Sequence, residues 1–196
     1  KSHLLKKNKK MVGNTIANLL GKFWGILSNF IFLPIYIHYL GFENYSIIAF
    51  TLILASMMNI LDVGLTSTLS RELASDQNSK EEKFNIFNTL ETLYFFVVIA
   101  CILIVFFLSN YLSQNWINVE HINHDTISYL IKIVGVGIGL AIILRFYIGG
   151  LLGLEKQVLA NKFIISWGIV RNGVIIIPIY FLPSLEIFFL WQACSV

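Results

Sequence analysis

The side chains in this sequence with the capacity for chemistry are a few ionisable groups set inside long apolar runs. Lys22, Asp62, Glu91, Arg145 and Arg171 all have mainly hydrophobic neighbours. A charge surrounded by hydrocarbon is costly and persists where it faces a bundle interior, a partner or a watery cavity. At about 1.5 Å of rise per residue, Lys22, Asp62, Glu91 and Arg145 fall about 10–15 Å from the same end of their helices, with Arg171 deeper, near the midplane. Two compatible readings follow for the four. One is an ion-pair layer, in which Asp62 or Glu91 reaches Arg145 or Lys22. The other is a hydrated, charged cavity, in which the carboxylates serve ion coupling or pairing. The arginines suit an anionic substrate, because a guanidinium offers a bidentate fork to phosphate. Lys132 lies toward the opposite end and can snorkel outward.

Nothing in the sequence points to covalent or cofactor chemistry. There is no Walker loop, no Cys-x-x-Cys and no Gly-x-Ser-x-Gly. We therefore expect no catalytic residue, no cofactor and no enzyme. His121 and His124 share a polar connection with Glu120 and Asp125. That spacing enforces no ligand geometry, so a solvated loop is expected there and no metal site. Cys101 and Cys194 read as small hydrophobes in helices.

The elements that must position these charges are membrane-crossing helices. Of the 196 residues, 57% are hydrophobic and 13% charged, against about 25% charged in a soluble domain. Crossing the hydrocarbon takes about 20 residues of helix. Five stretches qualify: Val12 to Ile37, Tyr45 to Leu69, Ile86 to Leu108, Ile127 to Leu152, and Leu159 to Leu182. A sixth begins near Leu185 and is expected to be cut off at Val196. The predicted fold is thus all-α: a polytopic membrane helix bundle with five complete transmembrane helices plus the start of a sixth. The longer connections are Arg71 to Asn85 and Ser109 to Thr126.

Lysine and arginine lie on one side. Lys1, Lys6, Lys7, Lys9, Lys10, Arg71, Lys80, Lys83, Lys156 and Lys162 flank alternate connections, and the opposite connections hold none. The positive-inside rule then puts the N-terminus in the cytoplasm. Because the net charge of +3 is spread along membrane edges, it makes no nucleic-acid patch. Tyr36, Tyr39, Tyr45, Tyr111 and Trp116 cluster near the outer ends, where an aromatic belt belongs.

Helical spacing predicts interior faces. Asn14, Asn18, Gly21, Gly25 and Ser28 recur at steps of three or four, as do Ala55, Asn59, Asp62, Thr66 and Ser70. Gly137, Ala141, Arg145, Gly149 and Gly153 form an i+4 row. Small residues let helices approach, and polar ones bond across them. The expected substrate pathway comprises Lys22, Arg145, Arg171, Asn59 and Asn18, with the small residues leaving room beside Arg145.

Three segments resemble a known family. They are Asn14-Thr15-Ile16-Ala17-Asn18 through Leu33-Pro34-Ile35-Tyr36 and Leu40-Gly41; Leu61-Asp62-Val63-Gly64-Leu65 with Ser70-Arg71-Glu72-Leu73-Ala74; and Gly150-Leu151-Leu152-Gly153-Leu154-Glu155-Lys156-Gln157 with Ala160-Asn161-Lys162. Phe189-Leu190-Trp191-Gln192 adds the start of a sixth helix. In order and spacing these resemble the N-terminal half of a polysaccharide-transport flippase, the family of the O-antigen flippases in the multidrug/oligosaccharidyl-lipid/polysaccharide exporter superfamily. The resemblance implies a multi-pass protein of the bacterial inner membrane. Residues 1–196 would be the N-terminal six-helix bundle of a two-bundle transporter, truncated within the sixth helix. It implies movement of an undecaprenyl-pyrophosphate-linked oligosaccharide from the cytoplasmic to the periplasmic leaflet. The partners would be that lipid-linked substrate, membrane lipid, and the polysaccharide polymerase and chain-length proteins of the same pathway, with no nucleic acid. The rival readings are a cation-coupled drug exporter of the same superfamily and a non-transporting membrane scaffold.

Overall fold

The computed structural model describes residues 2–60, 62, 64–117 and 122–196, with side chains from residue 12 onward except those of residues 25, 26, 29 and 59. All regular structure among the described residues is helical. In chain order the elements are α1 (Ser2–Leu40), α2 (Phe42–Ile60), α3 (Leu65–Ala74), α4 (Lys80–Asn115), α5 (His124–Gly153) and α6 (Gln157–Gly168). A π-helical segment (Ile169–Val174) then leads to α7 (Ile176–Phe181), and α8 (Leu185–Cys194) follows.

Among the described residues, three stretches are long and apolar enough to cross a membrane: Lys80–Asn115, His124–Gly153 and Gln157–Phe181. Phe30–Leu40, Phe42–Met58 and Leu185–Cys194 are apolar but shorter. The long helices keep large apolar side chains on their outer faces. Phe96 and Phe107 of α4 are 69% and 75% exposed, as expected where a surrounding apolar medium covers what the protein does not.

Helix α5 is the hub, packing against α4, α3 and α8. Its glycines explain why. An added Cβ at Gly135 would lie 2.7 Å from Val105, and one at Gly139 2.5 Å from Ile102, both on α4. At Gly153 it would meet the Ser70 carbonyl oxygen of α3 at 2.6 Å, and at Gly137 the Ala193 Cα of α8 at 3.1 Å. Each glycine therefore marks a place where another helix lies against the α5 backbone. A polar bridge joins three of these helices: the buried Tyr94 hydroxyl of α4 bonds the Ile142 carbonyl of α5 at 3.2 Å and lies 3.3 Å from Thr66 Oγ1 of α3.

Two sequence expectations change. The second apolar stretch, Tyr45 to Leu69, is not one helix: α2 stops at Ile60 and α3 restarts at Leu65. Gly64, at φ 76°, adopts the left-handed conformation that glycine alone tolerates freely. The Asp62 carboxylate accepts from the Thr66 backbone N–H at 3.4 Å and its hydroxyl at 2.9 Å, capping the new helix. The connections are also shorter than expected. A capping box between Ser79 and Glu82 starts α4 at Lys80, and α4 then runs 36 residues to Asn115. At about 1.5 Å per residue that is about 54 Å, well beyond a hydrocarbon core of about 30 Å. The polar ends of α4 are thus helical as well as its apolar middle.

Candidate functional site

A cavity of about 530 Å³ lies among α1, α2, α5, the α6–π segment and α8. Arg145 reaches it from α5 and Arg171 from the π segment. Two cations from separate helices thus share one space. Tyr36, Tyr45, Thr51, Asn172 and Gln192 add neutral polar groups, and Phe32, Trp167, Phe188 and Phe189 add aromatic walls. Among the described residues that line it, none is acidic.

The local fold around Arg171 follows from the π turn. A π segment departs from the α-helical bonding pattern and often occurs at functional sites. Pro178 has no N–H to offer the Val174 carbonyl at the end of this segment. Three consecutive carbonyls of the π turn accept side-chain donors from other helices. Trp191 Nε1 donates to Val170 O at 3.3 Å and to Arg171 O at 3.2 Å. Gln192 Nε2 lies 3.5 Å from the same Arg171 oxygen, and the Tyr36 hydroxyl donates to Asn172 O at 2.7 Å. The Arg171 guanidinium donates through Nε to Gln192 Oε1, and its Cζ sits 4.9 Å from the Trp167 ring centre. Trp167 is itself held, its Nε1 donating to Ser195 O at 2.8 Å.

The other sequence-predicted residues lie elsewhere. Asn18 Oδ1 accepts from Asn161 Nδ2 at 2.8 Å, a bond between α1 and α6. An added Cβ at the adjoining Gly21 would fall 1.9 Å from Asn161 Oδ1. Asn18 therefore holds two helices together away from the cavity wall. Lys22 is exposed and does not line the cavity. The Asn59 side chain lies outside the described residues, as do Glu120 and His121. His124 Nδ1 lies 2.6 Å from the Ser113 carbonyl. Asp62 caps α3, and Glu91 accepts from the Tyr147 hydroxyl at 2.5 Å. Among the described residues no salt bridge joins Asp62 or Glu91 to Lys22 or Arg145. Hydroxyl donors from Thr66 and Tyr147 satisfy the two carboxylates instead.

The row around Arg145 is also different in kind. Gly149 and Gly153 are filled by α3, whereas Gly137, which also lies against Ala193 of α8, lines the same cavity as Arg145. The expected aromatic belt divides. Tyr111 and Trp116 are exposed, at 59% and 55%, whereas Tyr36 is buried and faces the π turn. Lys132 rests 5.0 Å from the Phe106 ring centre, a cation–π contact along α4.

Sequence reasoning missed Trp167 and assigned Gln192 no role in the site. Their signal was a polar or indole group recurring in an apolar run, but only the packing of α8 on the π turn shows what each one touches. Fold and cavity together define the class: an all-helical protein with long apolar helices around a cationic, aromatic-walled cavity. No protein-family model, curated protein or solved structure matches the chain.

Proposed function

We propose that this chain is a membrane transporter bundle that handles an anionic, lipid-linked substrate, specifically an undecaprenyl-pyrophosphate-linked oligosaccharide moved from the cytoplasmic to the periplasmic leaflet. The observation that carries the reading is the joint presence of Arg145 and Arg171 on a cavity whose described lining residues include no acidic one. A pyrophosphate has the charge to use both guanidinium groups, and each can present a planar fork to it. The cavity volume of about 530 Å³ falls within the range of small-ligand pockets, about 300–1,000 Å³. It therefore suits the headgroup and its first sugar, with the glycan and polyprenyl tail outside. The aromatic walls offer flat apolar faces to a sugar ring.

The rest of the proposal follows from the sequence. The chain crosses a bacterial inner membrane several times with its N-terminus in the cytoplasm, on the strength of the one-sided lysine and arginine distribution. It works with a second bundle, the two rocking about the site. A cation-coupled drug exporter needs a carboxylate on its cavity, and Asp62 and Glu91 are engaged elsewhere. The arginine pair favours the flippase.

The test is glycan display in cells dependent on this protein, with protein level checked by blot. Arg145→Ala and Arg171→Ala should abolish surface polysaccharide, and Lys at either position should retain part of it, because charge survives while the fork is lost. Normal display by both Ala variants at normal protein level would show the arginines to be idle and the reading wrong.

A further inference from the structure

Arg171 is held from two sides at once, by α8 and by its own helix. We infer that Gln192 is the positioning residue of the cavity's anion site: it fixes the Arg171 guanidinium by its neutral carbonyl and so aims an undiminished positive charge into the cavity. The inference rests on the anion-site reading above and deepens it.

The argument begins with the atoms. An arginine has five N–H donors, and Nε–H is the one at the rear of the fork. Here that rear donor goes to Gln192 Oε1. Among the described residues no carboxylate forms a salt bridge with Arg171, and no acidic residue shares its cavity. Among the described residues the two terminal nitrogens, which make the bidentate edge, have no hydrogen-bond partner and are the part left to meet a ligand. Trp167 supports one face of the guanidinium plane at 4.9 Å, which limits its rotation. Gln192 also approaches the Arg171 backbone, its Nε2 lying 3.5 Å from the carbonyl beside the Trp191 indole bond. One amide thus holds both the main chain and the side chain of the same arginine.

The choice of amide has a chemical consequence. A glutamate at 192 would occupy nearly the same volume and accept the same Nε–H bond. It would also neutralise the guanidinium, and a paired arginine attracts an external anion poorly. Glutamine fixes the group without cancelling it. An apolar residue of similar size would leave the charge intact but the fork unaimed. Ordering a rotamer-rich side chain on binding is costly, so preorganisation by Gln192 should strengthen binding.

The experiment titrates the purified full chain in lipid nanodiscs with inorganic pyrophosphate and follows tryptophan emission, to which Trp167 against Arg171 contributes directly. Thermal unfolding of each variant is recorded alongside. Wild type should bind and Arg171→Ala should not. Gln192→Leu should weaken binding about tenfold or more, the scale of a lost hydrogen bond to a charged group. Gln192→Glu should weaken it further while melting at the wild-type temperature. That second variant keeps the test open if the leucine variant folds poorly. Wild-type affinity in either normally melting Gln192 variant overturns the inference. So does a loss of binding that only tracks a lowered melting temperature, which would make Gln192 a packing residue. If wild type does not bind, or Arg171→Ala binds as wild type does, the failure lies in the anion-site reading itself.

Discussion

The two arginines and the two carboxylates have the same rarity in an apolar chain but different fates. Arg145 and Arg171 reach one cavity, whereas Asp62 and Glu91 are each satisfied by a hydroxyl, from Thr66 and Tyr147. A residue's type states what isolation would cost it; which neighbour removes that cost depends on the packing. The glycines separate in the same way. Gly153 abuts the α3 main chain, with the Ser70 carbonyl oxygen 2.6 Å and the Ser70 Cα 2.8 Å from where a Cβ would sit. Backbone cannot yield as a flexible side chain does, so Gly153→Ala should destabilise the fold by about 1–3 kcal/mol. Gly13 has nothing within 4 Å, and Gly13→Ala should be neutral or stabilise by up to about 1 kcal/mol. Thermal unfolding by circular dichroism in one detergent compares the two. Equal melting temperatures would show that α3 does not lie against α5 at this point.

At the scale of elements, helix ends were the least legible feature. The apolar runs marked the middles of α4 and α5, but capping decides the ends. Ser79 accepts from the Glu82 N–H at 3.2 Å, and the Glu82 carboxylate accepts from the Ser79 N–H at 2.7 Å. Ser79→Ala should cost about 1 kcal/mol of local stability. The hydrogen bonds from Ser79, its backbone N–H first, hold the Glu82 carboxyl below its usual value of 4.5. A carboxyl lowered in the folded state contributes stability that is present above the unfolded value and is lost as pH falls through the folded one. Protection of the amides of Ser79 and of residues 82–84 against hydrogen exchange, corrected for intrinsic rate, should therefore hold at neutral pH and decline below about 4.5. Protection that does not change down to pH 3 would mean that the reciprocal bond contributes nothing. The break between α2 and α3 was written in Asp62 and Gly64, a capping residue and a left-handed glycine. The surrounding apolar run concealed it, because hydropathy averages over a window wider than a turn.

At the scale of the molecule, orientation in the membrane has a direct measurement. The proposed topology puts the α3–α4 connection in the cytoplasm and the far end of α4 outside. In a background with the exposed Cys194 replaced by serine, Asn115→Cys in intact cells should react with an impermeant thiol reagent, and Asn78→Cys should not. The reverse pattern would invert the topology and place the cavity's substrate on the other leaflet. The buried Cys101 is shielded in both.

The order of amino acids alone establishes that the chain is helical, that its long helices are apolar on most faces, and which few charges need an explanation. Those are properties of composition and period, and they survive any arrangement of the helices. It did not determine that Arg145 and Arg171 share a cavity, that Asn18 ties α1 to α6, or that Gln192 holds Arg171. Each of these joins residues distant in the chain, Asn18 and Asn161 being 143 positions apart. Such pairs form only when α1 packs on α6, α5 takes α8 against its backbone, and the π turn lies beside α8. Periodicity reports which face of a helix is unusual. The neighbouring helices decide whether that face meets a partner, a wall of glycine and side chain, or an open cavity.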